Sequence, residues 1–330
     1  MSLDVIGLGA INLDVFYHLD DPCLLVRAGF PVVPGGEVSL PDEALAPLED
    51  FLRRHGQYLG ESGGGSAANT LYALARMGFS TAFLGAVGDD PAGDFLRTSL
   101  APVNISGVRT VPGRSGTCLA VLDRRGERTL MVFPQANGRL HQAGLDLTAA
   151  RTARFVHLSS LVHDRARQLQ LELVASLPPA VRVSLDPGEI YARKGLAVLE
   201  PLLRKSFIVF GTARELCLLA HEPEWRVAAQ RLLDLGPSVV VCKRGAQGSS
   251  VFTREQEVTV PAASIAPVDT TGAGDVYNAG FLAGMLLGLP PDVCARLATA
   301  AAARSLTGRG REHYPDVSFL KEWLATEKAE

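Results

Sequence analysis

The chain of 330 residues has few aromatic side chains (6%), few cysteines (five) and little net charge, since 32 Lys and Arg oppose 35 Asp and Glu. The near balance of charge argues against a dedicated nucleic-acid-binding or membrane-surface protein, because both bind through basic residues. No CxxC spacing occurs, so the thiols are expected to pack as small apolar groups in a reducing compartment. The first residues lack the features of a signal peptide and the apolar run 281–289 is too short to cross a bilayer, so we expect a cytoplasmic protein.

Short apolar runs alternate with longer amphipathic segments along most of the chain. Strand-length runs such as 155–158 and 239–242 stand next to helical patterns such as 163–176 and 224–235. This alternation is typical of a mostly parallel sheet with helices on both faces. The length fits one large α/β domain or two smaller ones. Because no linker is visible, we predict a single domain over residues 1–330.

Two segments interrupt this alternation. The first, about 15–60, is expected to be mostly irregular, with one helix near Asp42–His55, because it contains five prolines (Pro22, Pro31, Pro34, Pro41 and Pro47). The second, Gly116–Phe133, has two strand-like runs around a short turn that contains Gly126, which predicts a β-hairpin. A hairpin inside an α/β alternation is expected to lie outside the main sheet, as a flap over a site.

The strongest chemical signal is the segment 268–275, VDTTGAGD, which is followed by a helical pattern. A glycine-rich turn that opens a helix presents unpaired backbone N–H groups at the positive end of the helix dipole, which suits a phosphate. Asp275 lies in the first turn, where the dipole favours its ionised form and where it could accept a proton from a hydroxyl. The alternative is that Asp275 and the threonines only cap a buried helix.

A second signal is the segment 63–69, GGGSAAN, which opens the helix predicted over 67–77. The glycines would let a ligand approach the backbone closely, and Asn69 offers both a donor and an acceptor to hydroxyl groups. The alternative is a flexible Gly-Ser linker, which the well-patterned helix that follows disfavours.

A third signal is the segment 5–14, VIGLGAINLD. Gly7 and Gly9 leave open a dinucleotide-binding oxidoreductase, but Asn12 stands at the third glycine position and no helix follows. Asn12 and Asp14, two residues apart at the end of the first strand, are expected to point to one side and could bind the hydroxyls of a polyol. The alternative is a local turn.

In this order and about 200 residues apart, GGGSAAN and DTTGAGD resemble the two signature segments of the ribokinase-like (PfkB) family of carbohydrate and nucleoside kinases. The resemblance implies a three-layer α/β/α sandwich with a mostly parallel central sheet, and a small β-sheet lid built from segments at about 15–60 and 114–137. It also implies ATP-dependent transfer of the γ-phosphoryl group to a primary hydroxyl of a sugar or nucleoside.

The same resemblance implies roles for individual residues. Asp275 matches the catalytic base, and the anion hole is matched by Gly272, Ala273 and Gly274. The residues that match the substrate site are Asn12, Asp14, Gly64, Gly65 and Asn69. Nucleotide-binding positions are matched by Thr212, Lys243, Gly245 and Thr271. Glu215 matches a Mg²⁺ position that acts through water, and Asp269 a possible K⁺ position.

The chain also departs from the family pattern. The segment 212–215 has Thr where the family's Asn-x-x-Glu has Asn, while Ser66 and Ser159 replace the Lys and Glu of ribose-specific members. The long segment 14–63 resembles the adenosine-kinase branch, whereas 186–191 resembles sugar-acid kinases, so the acceptor stays open. A catalytically silent family member that binds a nucleotide or metabolite is a further alternative. We expect a small-molecule partner, no nucleic acid or membrane, and a monomer or a homodimer formed through the lid.

Overall fold

The computed structural model describes residues 3–327, which form a large and a small β-sheet with α-helices around them. The strands are β1 (Val5–Leu8), β2 (Asn12–His18), β3 (Glu37–Ser39), β4 (Gln57–Gly64), β5 (Thr81–Gly88), β6 (Asn104–Val111), β7 (Gly116–Leu122), β8 (Arg128–Phe133), β9 (Phe155–Ser159), β10 (Arg182–Asp186), β11 (Ile208–Thr212), β12 (Val239–Lys243), β13 (Ser249–Phe252) and β14 (Glu257–Val260). The helices are α1 (Cys23–Arg27), α2 (Leu45–His55), α3 (Ser66–Arg76), α4 (Pro91–Ser99), α5 (Asp164–Ser176), α6 (Gly188–Ala192), α7 (Leu196–Lys205), α8 (Ala213–Ala220), α9 (Trp225–Leu235), α10 (Ala273–Leu286), α11 (Pro291–Ser305) and α12 (Val317–Glu327). None of these helices combines the length and the apolar character needed to cross a membrane.

The large sheet has nine strands in the order β14-β13-β12-β11-β10-β9-β1-β5-β6. The strands from β12 to β6 are parallel, and only β13 and β14 run antiparallel to their neighbours. Successive side chains alternate between two cores: Val241 packs with α3, α10 and α11, while Val240 packs with α5, α7 and α9. The predicted three-layer sandwich is confirmed.

The small sheet has five strands in the order β3-β8-β7-β2-β4. β7 and β8 form the predicted hairpin, with Thr117 opposite Phe133. One face packs on α1 and α2 through a core that includes Leu48, Leu119 and Met131. The other face carries Asp14 and, one cross-strand row further, Phe16.

Two local expectations were wrong. The segment 15–60 is not mostly irregular, because besides the predicted helix, which is α2, it contains most of β2, the first half of β4, and all of β3 and α1. Its prolines help to begin elements: Pro22 and Pro41 each precede a helical turn, and Pro47 lies in the first turn of α2, where a missing N–H is not needed. In addition, Asn12 and Asp14 do not end the first strand, because β1 ends at Leu8 and both residues belong to β2 of the small sheet.

The chain passes between the large-sheet part and the small sheet at four short connections, residues 9–11, 65, 112–115 and 134. The connection at residues 9–11 follows the carboxyl end of β1, and the connection at residue 65 precedes the first residue of α3. The same edge of the large sheet holds the carboxyl ends of β10 and β12. In open α/β sheets the crevice at the carboxyl ends of parallel strands is the usual ligand site.

Candidate active site

Asp275, in the first turn of α10, is held by the first turn of α3. Ser66 Oγ donates a hydrogen bond to Asp275 Oδ1 (2.8 Å), and Asn69 Nδ2 donates one to Oδ2 (2.9 Å). Thr70 Oγ1 donates to the Asp275 carbonyl oxygen (3.2 Å). The two signature segments therefore meet at a single carboxylate.

Burial raises the pKa of Asp275 to about 6, in spite of the hydrogen bonds from Asn69 and Ser66, which act in the opposite direction. This corrects the expectation that the helix N-terminus would favour the ionised form, because the cost of removing the carboxylate from water is the larger effect. A carboxyl with this pKa is mostly ionised at pH 7 and is a stronger base than an exposed aspartate. It is suited to general-base chemistry.

The turn before α10 leaves backbone donors free. Gly272 adopts a left-handed conformation (φ 74°), and a Cβ at this position would lie 2.1 Å from the Tyr314 hydroxyl oxygen. The Ala273 N–H donates to the Thr270 carbonyl oxygen (3.3 Å). Within residues 3–327 the N–H groups of Gly274 and Asp275 have no hydrogen-bond acceptor, so they are available to an anion.

The predicted substrate residues meet where the small sheet joins the large one. A Cβ on Gly64 would lie 2.0 Å from Asp14 Oδ2, although Gly64 pairs with Asn12 and Asp14 with Ser62, so the diagonal contact with the carboxylate requires glycine at position 64. Gly65 has a φ of 103° and leaves no room for a side chain beside the Ala10 carbonyl oxygen (2.2 Å). Asn12 is buried and its Oδ1 accepts a hydrogen bond from Asn137 Nδ2 (2.9 Å).

Asp14 carries an unusual charge state. Burial raises its pKa to about 7, the charge of Arg311 acts against this shift, and the charge of Asp275 adds to it. A half-protonated carboxyl at neutral pH can both accept and donate hydrogen bonds, as recognition of a hydroxyl group requires.

Lys243 lies at the end of β12, in a buried polar network. Its Nζ donates to Asp186 Oδ2 (2.9 Å) and to Asn278 Oδ1 (3.2 Å), and Asn278 Nδ2 donates to the same Asp186 oxygen (2.5 Å). Burial alone would raise the pKa of Asp186, but Lys243 and Asn278 bring it below its ordinary value. A Cβ on Gly274 would lie 3.5 Å from Lys243 Nζ, so the ammonium adjoins the free N–H groups.

Sequence analysis did not assign a role to Asp186 or Asn278. A signal for Asn278 exists, because it is a polar side chain in a helix buried on almost every side. The partner of Asp186 is visible only in the fold, since Lys243 and Asn278 come from different elements.

Thr212 and Glu215 form a capping box at the start of α8. The Thr212 N–H donates to Glu215 Oε2 (2.7 Å), and the Glu215 N–H donates to Thr212 Oγ1 (3.2 Å). Burial and the nearby charge of Asp186 raise the pKa of Glu215. Gly245 lies in an exposed turn with a φ of 55° and has no neighbour within 4 Å of where a side chain would be.

Asp269 ties the turn before α10 to the segment after α11. Its Oδ1 accepts from the Thr271 N–H (2.8 Å) and its Oδ2 from the Gly310 N–H (3.1 Å). The Thr271 hydroxyl oxygen is buried and has no hydrogen-bond partner in the described part of the chain. Such an orphan oxygen beside a carboxylate suits a cation or a ligand hydroxyl.

One further charged side chain reaches the site, and sequence analysis did not find it. Arg311, from the irregular segment after α11, donates from Nε (3.1 Å) and Nη2 (2.9 Å) to Asn69 Oδ1. Nothing in the sequence distinguishes Arg311 from neighbouring arginines such as Arg304 and Arg309.

Comparison with known proteins agrees with this geometry. The model of the pfkB family carbohydrate kinases matches residues 38–315. The chain belongs to the PfkB family. This confirms the resemblance based on GGGSAAN and DTTGAGD and removes the oxidoreductase alternative. Gly7 and Gly9 are needed for close packing instead, since a Cβ on Gly7 would collide with Leu71 and a Cβ on Gly9 would collide with Ser159.

Two curated relatives of this PfkB member are kinases. An uncharacterized sugar kinase from Archaeoglobus fulgidus is 35% identical over 73% of this chain and 98% of that protein. An ATP-dependent ribose-1-phosphate kinase from Halopiger xanaduensis is 33% identical over 80% of this chain and 87% of its own length. The family model and these relatives therefore place the chain among the carbohydrate kinases of the PfkB type, a family that uses ATP.

Solved structures confirm the ribokinase-like fold. Adenosine kinase from Sinorhizobium meliloti superposes with a TM-score of 0.85 at 23% identity, over 100% of both chains. Arabidopsis thaliana ribokinase, complexed with ribose and ATP, has a TM-score of 0.76 at 24% identity, over 98% of this chain and 99% of that one.

Proposed function

We propose that this protein transfers the γ-phosphoryl group of ATP to a primary hydroxyl of a sugar or nucleoside, with Asp275 as the general base. The observation that carries the proposal is the carboxylate of Asp275, held at 2.8 and 2.9 Å by Ser66 and Asn69 next to unpaired N–H groups at the start of α10. A base beside an anion-binding turn is what phosphoryl transfer to a hydroxyl requires.

In this reaction the acceptor lies between Asp275 and the small sheet, where Asn12, Asp14 and Asn69 bind its hydroxyls. Asp275 takes the proton as the hydroxyl oxygen forms its bond to the γ-phosphorus and the bond to the β–γ bridging oxygen breaks. ADP leaves with that electron pair. The anion hole expected from the resemblance was Gly272, Ala273 and Gly274, but the Ala273 N–H already donates to the Thr270 carbonyl oxygen. The N–H groups of Gly274 and Asp275, with the ammonium of Lys243, would therefore stabilise the charge that develops on the transferred group.

The residues at the turn also fit the nucleotide and its ions. Glu215 would hold Mg²⁺ through water, since Mg²⁺ prefers oxygen ligands, and the ion would supply positive charge to the nucleotide phosphates. Asp269 and the unpartnered Thr271 hydroxyl would hold K⁺ beside the turn. We assign Thr212, Lys243, Gly245 and Thr271 to the nucleotide's path.

The small sheet would act as a lid over the acceptor, through segments at about 15–60 and 114–137. Its Asp14 would form hydrogen bonds with the acceptor, while Phe16 and Leu130 would contact it with apolar side chains. Both lie in the next cross-strand row, where Ala120 pairs with Phe16 on one side and with Leu130 on the other. A face that mixes a carboxyl with apolar side chains suits a hydroxylated ring with or without an attached base.

The experiment is the substitution Asp275→Asn, measured by ADP release with ATP, Mg²⁺ and a panel of free sugars, sugar 1-phosphates and nucleosides. The amide keeps the shape of the carboxylate but cannot accept the proton, so kcat should fall by about 10²–10⁴-fold, with KM values within a few-fold of the parent. The matched control is Asp292→Asn, in the first turn of α11, which should leave kcat unchanged. An Asp275→Asn protein that melts normally and retains more than about a tenth of the parental rate would contradict the proposal, since Asn caps a helix nearly as well as Asp. A parent that phosphorylates nothing on the panel would favour the silent alternative.

A further inference from the structure

We infer that Arg311 is a positioning residue for phosphoryl transfer, which fixes the orientation of the Asn69 side chain and, through it, the hydrogen bond on Asp275. The inference rests on the proposed role of Asp275 as base. Arg311 comes from the segment after α11, outside both signature segments, and it touches Asn69 on the side away from Asp275.

The chemistry of the two side chains fixes one orientation of the amide. The Asn69 side chain has an oxygen that accepts and a nitrogen that donates, whereas the arginine guanidinium only donates. Two Arg311 nitrogens lie 3.1 and 2.9 Å from Asn69 Oδ1, so the oxygen must face Arg311 and Nδ2 must face Asp275. In the reversed orientation the Asn69 Nδ2 would face the N–H groups of Arg311, and the Asn69 Oδ1 would face the Asp275 carboxylate, so both contacts would be repulsive.

Arg311 is itself held in place. Its Nη1 donates to the Ser99 carbonyl oxygen (2.9 Å), and its guanidinium lies over the Tyr72 ring, 4.7 Å from the ring centre. These two contacts, one with α4 and one with α3, are independent of Asn69 and determine where the fork of the guanidinium points. A lysine keeps the charge but cannot reproduce this planar geometry.

The consequence for Asp275 follows from the hydrogen bond that Asn69 gives it. A donor to a carboxylate stabilises the ionised form, so loss of a fixed Asn69 N–H raises the pKa of Asp275. The other charged and titratable groups that face Asp275 are Asp14, Asp186, Lys243, Tyr314 and Arg311 itself. Arg311→Lys leaves the first four in place and keeps the positive charge of the fifth. A change in the titration of Asp275 would then report on the amide.

The test compares Arg311→Lys, Asn69→Ala and the double variant with the parent. The first readout is the titration of the Asp275 carboxyl carbon by ¹³C NMR, which does not depend on turnover. The second is the pH profile of kcat/KM. We expect both single substitutions to raise the Asp275 pKa by about half a pH unit or more. They should also lower kcat by about ten- to a hundred-fold, which is the kinetic equivalent of one charge-assisted hydrogen bond. The double variant should be no worse than Asn69→Ala, because Arg311 acts through Asn69.

The matched control is Arg309→Lys, an exposed arginine two residues earlier, which should change neither readout. If Arg311→Lys does not fold, Arg311→Gln replaces it. Because the charge of Arg311 also acts directly on Asp275, the double variant with Asn69→Ala then separates the loss of that charge from the loss of the fixed amide. An unchanged Asp275 titration in the arginine variant, or losses that add in the double variant, would overturn the inference. If the parent phosphorylates no acceptor, the proposed function fails, while the carboxyl titration still decides whether Arg311 orients Asn69.

Discussion

The contact between Gly64 and Asp14 allows a quantitative prediction for the substitution Gly64→Ala. The new Cβ would lie 2.0 Å from Asp14 Oδ2 and 2.3 Å from its Cγ, whereas real Cβ contacts are essentially never shorter than 3.0 Å. Asp14 must therefore move by about 1 Å or more, because Gly64 lies in a strand paired with β2 and cannot withdraw alone. A displacement of that size at a substrate-positioning group costs about 10² in rate, or about 2.7 kcal/mol of transition-state stabilisation.

The assay is steady-state ADP release with the best acceptor from the panel. We expect kcat/KM for the acceptor to fall by about 10²-fold, while KM for ATP stays within a few-fold, because Asp14 is not among the residues proposed to bind the nucleotide. Glu61→Ala, an exposed change in the same strand, controls for general damage to β4. In an Asp14→Ala background the clash is gone, so Gly64→Ala should add almost nothing. The reasoning is refuted if Gly64→Ala keeps more than about a third of the parental kcat/KM while Asp14→Ala loses about 10² or more.

Two further predictions concern ionisation and ions. Burial, and then the charges of Glu215, Glu189 and Asp186, raise the pKa of Glu37 to about 8. The folded state therefore holds a proton that the unfolded state releases above pH 4.5. As a result the free energy of unfolding falls as pH rises towards 8. Glu37→Gln should therefore raise Tm by a few degrees at pH 8.5 and change it little at pH 4, as thermal melting at both pH values would show; an equal effect at both would contradict the assigned pKa. If Asp269 and Thr271 hold K⁺, replacing K⁺ by tetramethylammonium should lower the parental rate several-fold, and Asp269→Asn should abolish the response; equal rates in both buffers would remove the K⁺ assignment but not the kinase.

The parts of the site that could be predicted from sequence are local. GGGSAAN and DTTGAGD each combine a glycine turn with the start of a helix. α3 begins at Ser66, one residue before the predicted start, and α10 begins at Ala273, which places Asp275 in the first turn as predicted. β4 was not predicted because its sequence, QYLGESGG, has neither apolar alternation nor β-branched residues. It is an edge strand, so its stability comes from pairing with β2.

The remaining groups depend on long-range contacts. Asp186, Lys243 and Asn278 come from three elements, and their network exists only because the carboxyl ends of β10 and β12 meet the second turn of α10. The pKa of Asp275 also depends on burial by the whole fold, which raises it, whereas the helix dipole acts in the opposite direction and is the smaller effect.

The chain crosses between the two sheets at four short connections, and the residues proposed to bind the acceptor and to accept its proton lie on opposite sides of them. The distance between these residues therefore depends on the angle between the two sheets. Asn12 and Asp14 belong to the small sheet and follow the connection at residues 9–11 by one and three residues, whereas Asp275 lies in α10, which packs on the large sheet. The second connection, Gly65, lies between Gly64, which faces Asp14, and Ser66, which holds Asp275. Any change in the angle between the sheets therefore changes the span from Asp14 to Asp275. If the proposed acceptor spans the two carboxyl groups, its length therefore determines whether its hydroxyl reaches Asp275.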